Sequence, residues 1–371
     1  MIRIRKQMSL RDIKENISEE EKSKILAGIL ESFNGDPNLT KKLVDDYKKD
    51  YGVEKKKSYP QNWFVYYSAC KNEKFMVWRI IKDAVDYLEI SKSIATNGRP
   101  SVNLSDIIKC LCIKAYSGLS SWRSDSELRI AQRLGIVDNI YKRSALNKYL
   151  GKPEVTLLLK KLLRTIAEPV AVIETQLTTD ATGIGLAYSR KRWVEVRNDH
   201  QQHKLFVKLH IICGAKSNVV FAANITKGTA HESPLLKALI EETVEYVEAR
   251  EISADSGYLS RDNVNYSSES GMQAFIMPKK NTSTKKGGLG AWGAMVRLWR
   301  DNYDLFALHY HQRSNSESTF SMIKRKFGDY VRAKSEIGQI NEVLTKTVCH
   351  NACVLGEALL EFDIKPKFMV T

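Results

Sequence analysis

Val172-Ile-Glu-Thr-Gln-Leu-Thr-Thr-Asp180-Ala-Thr-Gly183-Ile-Gly-Leu-Ala187 is the stretch on which the fold turns. Apolar and β-branched residues are interleaved with polar ones, the pattern of a half-buried strand. Asp180 interrupts that run, and strand propensity disfavours aspartate, so its presence needs a reason. Trp193 to Arg197, Leu205 to Cys213 and Val219 to Thr226 repeat the pattern, which predicts neighbouring antiparallel strands. Ser233-Pro234 then reads as a helix start, serine at the N-cap and proline at N1, opening a helix to about Arg250. A short strand from Glu251 to Asp255, a helix from about Ser260, a strand from Ala274 to Met277 and two closing helices complete the order.

Three or so antiparallel strands followed by alternating helices and strands is the order of a ribonuclease H-like α/β domain, a mixed sheet flanked by helices, expected over residues 169–365. Residues 61–168 read as all helical: Phe75 to Ile90, Leu104 to Tyr116 after an Asn103-Leu-Ser105 start, Trp122 to Leu134 closed by Gly135, and Ser144 to Tyr149. Short amphipathic helices joined by Gly turns fit a helix-turn-helix DNA reader and equally a small helical bundle. Residues 1–60 read as a charged helical arm ending at Lys55-Lys56-Lys57-Ser58-Tyr59-Pro60, after which aromatic content rises sharply.

Composition narrows the functional class. The 371 residues hold 58 Lys and Arg against 43 Asp and Glu, a formal charge of +15, with 43% hydrophobic residues. That excludes wholesale disorder and gives a positive field suited to polyanions such as nucleic acid. No apolar run approaches the ~20 residues that span a bilayer. The basic N-terminus lacks a following apolar region, so a cytoplasmic, nucleoid-associated protein is expected, with its six cysteines reduced.

Three carboxylates stand out. Asp180 lies within a strand run, and Asp255 ends the apolar stretch Ile252-Ser-Ala-Asp255 before a Gly turn, where sheet enzymes place chemistry. Glu317 lies in Tyr310-His-Gln-Arg313-Ser-Asn-Ser-Glu317-Ser-Thr-Phe320-Ser-Met-Ile323-Lys324-Arg-Lys-Phe327. Read as one helix, Tyr310, Arg313, Glu317 and Lys324 fall within about 60° of one another, beside an apolar stripe of Phe320, Ile323 and Phe327. Carboxylates converging from two strands and a helix suit a pair of divalent cations cutting a phosphodiester, with Mg²⁺ matched to hard oxygen ligands. Arg313 and Lys324 beside them would neutralise a phosphate.

At these residues the chain resembles the DDE transposases of bacterial and archaeal insertion sequences, of the IS4/IS5 type. Tyr310-x2-Arg313-x3-Glu317-x6-Lys324 matches that family's Y-R-E-K signature at every position. The contexts of Asp180 and Asp255 are similar to the family's two aspartates, as is Gly228-Thr-Ala-His231-Glu-Ser233-Pro, and the similarity covers roughly residues 100 to 360. The resemblance implies that Asp180, Asp255 and Glu317 are the catalytic, metal-binding triad for two Mg²⁺ ions, with Mn²⁺ as substitute. It implies that Tyr310, Arg313 and Lys324 contact double-stranded DNA at the transposon ends. It further implies binding of terminal inverted repeats, phosphodiester hydrolysis and strand transfer into target DNA by a homodimer. The interval between Asp255 and Glu317 is too short for the β insertion of some relatives, which favours the compact IS5-like branch. The alternatives are a catalytically inactive DNA-binding protein of transposase descent and a ribonuclease H-like nuclease that cuts without joining.

Other motifs read more plainly. His200, His203 and His210 lack paired cysteines and suit surface or hydrogen-bonded roles, and Cys349-His350-x2-Cys353, like Cys110 and Cys112, suits core thiols. Six basic residues and no acid lie between Gly271 and Arg300, a candidate DNA contact. Trp193, Trp292 and Trp299 are available to receive a flipped base, as in some relatives, but none can be assigned. Gly287-Gly-Leu-Gly290 lacks the lysine of a phosphate-binding loop and reads as a flexible loop.

Overall fold

The computed structural model describes residues 63–90, 102–187, 206–279, 282, 290–362 and 364–369. The expected arm, the strand at 193–197, His200, His203 and the glycine loop up to residue 289 lie outside the described residues.

The first described elements are α1 (Trp63–Tyr87), α2 (Leu104–Ser117), α3 (Ser124–Arg133), α4 (Arg143–Leu150) and α5 (Pro153–Ala171). α2 starts where Asn103 accepts a hydrogen bond from the Ser105 N–H at 3.0 Å and ends at Gly118, whose φ of 64° is a left-handed cap. Within it the buried Asp106 accepts from the backbone N–H groups of Asp138 and Asn139, which fastens the chain between α3 and α4. Helical structure does not stop at Glu168-Pro169, because α5 continues through Pro169 to Ala171. Its apolar face, Val155, Leu159, Leu162, Ile166 and Val170, stays buried past that point and outweighs the single backbone bond a late proline forfeits.

The sheet begins with β1 (Gln176–Leu186), β2 (Phe206–Gly214) and β3 (Val220–Lys227), then continues after α6 (Leu235–Val244) with β4 (Glu251–Ala254) and after α7 (Arg261–Glu269) with β5 (Gln273–Ile276). Ser233 does not cap α6. Pro234 takes the cap position, and the Ser233 hydroxyl instead accepts from Asn263 Nδ2 at 3.2 Å. α6 also ends at Val244, short of Arg250, because Tyr246 and Val247 turn inward, Tyr246 donating to the Phe221 carbonyl.

Beyond β5 the two expected helices are four: α8 (Ala291–Asp301), α9 (Tyr303–Tyr310), α10 (Ser314–Phe327) and α11 (Glu336–Glu361), with the short strand β6 (Tyr330–Val331) before the last. Asn302 separates α8 from α9 by adopting an extended φ of −144° and accepting from the Leu305 N–H. The strand order is β3-β2-β1-β4-β5, with β1 antiparallel to β2 and parallel to β4, while β6 adds to β1 at Gly185 and Leu186. This mixed sheet flanked by helices is consistent with the ribonuclease H-like α/β arrangement.

α11 packs against α5, α1, α2 and β3, and its buried residues Val343, Leu344, Val348, Cys349, Ala352 and Leu355 join helices and sheet in one core. Cys110, Cys112, Cys349 and Cys353 are free, buried thiols, as expected for core cysteines. Asn351 ties α11 to the outer strand: its amide donates to the Val220 carbonyl at 2.7 Å and its oxygen accepts from the Val220 N–H at 2.9 Å. Among the described residues no helix is long and apolar enough to cross a membrane.

Asn351→Ala strands both Val220 backbone groups in a dry environment, so a loss of about 2–6 kcal/mol is expected in urea unfolding, from two buried groups at about 1–3 kcal/mol each. A loss below about 0.5 kcal/mol would show that water reaches this edge.

Candidate active site

β1 carries the first carboxylate. Its parallel pairing with β4 ends at Thr179 opposite Ala254, and β6 joins the same edge only at Gly185. Asp180 therefore sits in a notch between two parallel partners, held on the other edge opposite Ile211 of β2. Asp255 follows Ala254 directly, so the register brings both aspartates to equivalent positions on adjacent strands. The Asp255 carboxylate accepts from the Ser256 N–H at 2.7 Å and caps a 3-10 turn, Ser256–Tyr258.

Glu317 and its neighbours arrive from the other side of the notch. Residues 310–327 are not one helix: α9 ends at Tyr310, a 3-10 turn spans His311–Arg313, and α10 starts at Ser314. Side chains compete for the carbonyls at this joint, with Ser316 Oγ donating to the Arg313 carbonyl and Asn315 Nδ2 to the Gln312 carbonyl. The backbone remains right-handed, with Arg313 at φ −50° and ψ −31°, so Arg313 and Glu317 still meet as an i, i+4 pair.

Arg313 is the hub. Nη1 donates to Asp180 Oδ2 at 2.8 Å and Nη2 to Glu317 Oε1 at 2.7 Å, so one guanidinium bridges the two carboxylates. The Tyr310 ring stacks on Phe306 and lies 6.0 Å from the Arg313 guanidinium carbon. Lys324 Nζ donates to Thr182 Oγ1 at 2.5 Å. Thr182 is two residues beyond Asp180 and shares its sheet face. The structure thus gathers Asp180, Tyr310, Arg313, Glu317 and Lys324 along one face of β1 and sets Asp255 at the end of the neighbouring strand.

Burial raises the Asp180 carboxyl above its ordinary range, opposed by the Ala181 N–H and Arg313 and reinforced by Asp255 and Glu232. Burial works against the charge on Arg313, but Asp180, Tyr310 and Glu317 more than offset it and raise its pKa. Burial also lowers the Lys324 ammonium, with Asp329 in opposition.

Glu232 is the neighbour that sequence reading missed. It pairs with Lys208 at 3.1 Å, and a Cβ at Gly257 would lie 2.2 Å from its Oε2, so the carboxylate presses on the turn that Asp255 caps. A glycine two residues after Asp255 was the one legible trace of that approach. His210 is buried and hydrogen-bonded to Tyr258 and Thr226, and burial pushes it down to about 4, so it is neutral. Of the tryptophans, Trp292 lies under Arg261 and Trp299 is packed against the core, while Trp193 lies outside the described residues.

Among the described residues no group of three or more His, Cys, Asp and Glu side chains is preassembled to hold a metal ion. The donors still fit one by chemistry. Asp180 and Glu317 supply hard oxygens, and Arg313 shows that this position takes a positive charge.

Residues 174–352 match the transposase DDE domain. The matched segment contains Asp180, Asp255 and the whole span from Tyr310 to Lys324, and the match supports a DDE transposase. α1 to α5 all precede it. No curated protein matches the chain.

A carboxyl raised on folding makes the folded chain bind a proton more tightly than the unfolded chain, so stability falls as pH rises through its folded-state pKa. Asp180→Asn is therefore expected to unfold at a higher temperature than wild type at neutral pH without metal, the gap closing toward about pH 4. Mn²⁺ should stabilise the wild type alone. Thermal unfolding at several pH values with and without Mn²⁺ checks both, and equal Mn²⁺ stabilisation of the two proteins would remove Asp180 from the metal site.

Proposed function

We propose that the chain is the transposase of an insertion sequence of the IS4/IS5 type, on its compact IS5-like branch. In this reading it binds the terminal inverted repeats of its element, hydrolyses the 3′ ends and joins each exposed 3′-OH to target DNA as a homodimer on the nucleoid. The observation that carries the reading is the bridge from Asp180 through Arg313 to Glu317, with Asp255 at the end of the adjacent parallel strand, inside the matched domain.

In this mechanism Asp180, Asp255 and Glu317 would hold the divalent cations. When bound, two Mg²⁺ ions would activate the attacking oxygen and stabilise the leaving one. The chain's own residues do the rest. Arg313, released from the carboxylates it bridges, forms a two-pronged contact with a phosphate, and Lys324 on the same face adds a point charge. Tyr310, stacked on Phe306, limits the directions Arg313 can take. The Lys208–Glu232 pair backs the turn that holds Asp255. In the helical segment, exposed Trp122 with Arg143 over its ring supports a DNA contact away from the chemistry.

The same bridge is the one observation that favours the inactive alternative, since Arg313 occupies the place of a cation. Cleavage decides. A plasmid carrying this gene with its native flanks is incubated with the full chain in Mg²⁺ or Mn²⁺, alongside Asp255→Ala shown to bind DNA equally. Metal-dependent 3′ nicks at both flanks are expected, falling at least about 1000-fold in the variant, equivalent to about 4 kcal/mol of lost transition-state stabilisation. Nicks without strand-transfer products would identify a nuclease, and binding without cleavage would identify the inactive form.

A further inference from the structure

A cavity of about 170 Å³ lies between the C-terminus of α2, the C-terminus of α10, β6 and α11, away from the carboxylates. Four cationic side chains line it, Lys114, Lys326, Arg332 and Lys346, against one carboxylate, Glu342. Most of these are committed. Lys326 pairs with Glu73, and Arg332 donates to the carbonyls of Gly118 and Leu119 and to the Tyr330 hydroxyl. Lys346 donates to the carbonyls of Gly328 and Tyr330, which leaves it a third proton. Glu342 accepts from the N–H groups of Arg332 and Ala333, so both of its oxygens are engaged on backbone.

Lys114 is different. Its ammonium makes no hydrogen bond or ion pair among the described residues, although the side chain is part-buried on the cavity wall. Burial lowers the pKa of Lys114 and of Lys346, Arg332 adding to the fall and Glu342 opposing it. A lysine in the last turn of a helix is helped by the free carbonyls there. That accounts for Lys114 alone but not for Lys346 and Arg332 converging on the same space from α11 and the segment after β6.

We infer that this cavity is an oxyanion site that takes a phosphate group, with Lys114 as the free donor and Lys346 and Arg332 as the fixed positive wall. The group is either a free phosphate or a DNA backbone phosphate. The cavity lies beyond Lys324 along α10 and beside β6, which pairs with β1 at Gly185, about 17 Å along the strand from Asp180 at ~3.3 Å per residue. A backbone following the Lys324 face of β1 would reach it.

The test uses the full chain, with inorganic phosphate and pyrophosphate as probes in thermal unfolding and calorimetry, and a 25-base-pair duplex of arbitrary sequence in a salt titration. Wild type, Lys114→Gln and Lys114→Arg are compared. Without anion Lys114→Gln should be as stable as wild type or more so, which shows that it folds. The anions should stabilise wild type and Lys114→Arg and bind Lys114→Gln at least about tenfold more weakly, the effect of about 1.4 kcal/mol. A free-phosphate site leaves duplex binding unchanged in Lys114→Gln. A backbone site shows pyrophosphate competing with duplex, and a salt slope about 0.9 smaller in Lys114→Gln. If neither anion binds wild type and Lys114→Gln matches it in duplex affinity and salt slope, the inference is overturned, whatever the cleavage assay returns.

Discussion

The divided pairing of β1 is the constraint from which the site follows. One edge is satisfied by β2 from Leu177 to Gly185, while the other is shared between β4 up to Thr179 and β6 from Gly185. Continuous pairing on both edges would leave no gap at Asp180. The interruption lets the joint between α9 and α10 approach the strand closely enough for a guanidinium to reach Asp180. Period-2 alternation then aligns Thr178, Asp180 and Thr182 on one face, and α10 with the 3-10 turn before it meets all three positions: through Thr319 at Cys213, the cross-strand partner of Thr178, through Arg313 at Asp180, and through Lys324 at Thr182.

Electrostatics explains why the joint takes the form it does. A part-buried carboxylate left without a counter-charge is costly, because its charge has given up water and gained no partner in return. Asp180 is the part-buried one of the two carboxylates and takes Arg313 as its counter-charge, while the exposed Glu317 shares the same guanidinium. Arginine suits this place better than lysine because its planar fork serves two acceptors at once. The apolar edge of α10, Phe320, Ile323 and Phe327, keeps the helix seated beside that pair of contacts.

Much of this was legible in the sequence, for identifiable reasons. Asp180 and Asp255 declared themselves because each breaks or ends an apolar strand run, and strand order followed from alternation and turn residues. The angular stripe through Tyr310, Arg313, Glu317 and Lys324 grouped residues that do lie along one face of β1, yet it assumed a single helix. The break at His311–Arg313 depends on Asn315 and Ser316 capturing carbonyls, and those residues are common inside helices too. Ser233-Pro234 misled because the serine hydroxyl found Asn263, a partner distant in sequence that no local rule anticipates. Glu232 stayed hidden for the same reason: its importance comes from Lys208 on β2 and from Gly257, and neither is near it along the chain.

α11 is the last long element of the chain, yet it is the piece against which α1, α2, α5 and β3 all pack. During synthesis those elements leave the ribosome before the surface that completes their core exists. Until Glu336–Glu361 emerges, the apolar faces of α5 and β3 must wait for a partner that follows them much later along the chain. A ribosome that stops before residue 336 releases a product with the notch residues Asp180 and Glu317 in its sequence but without the helix that holds the sheet and the helical segment together.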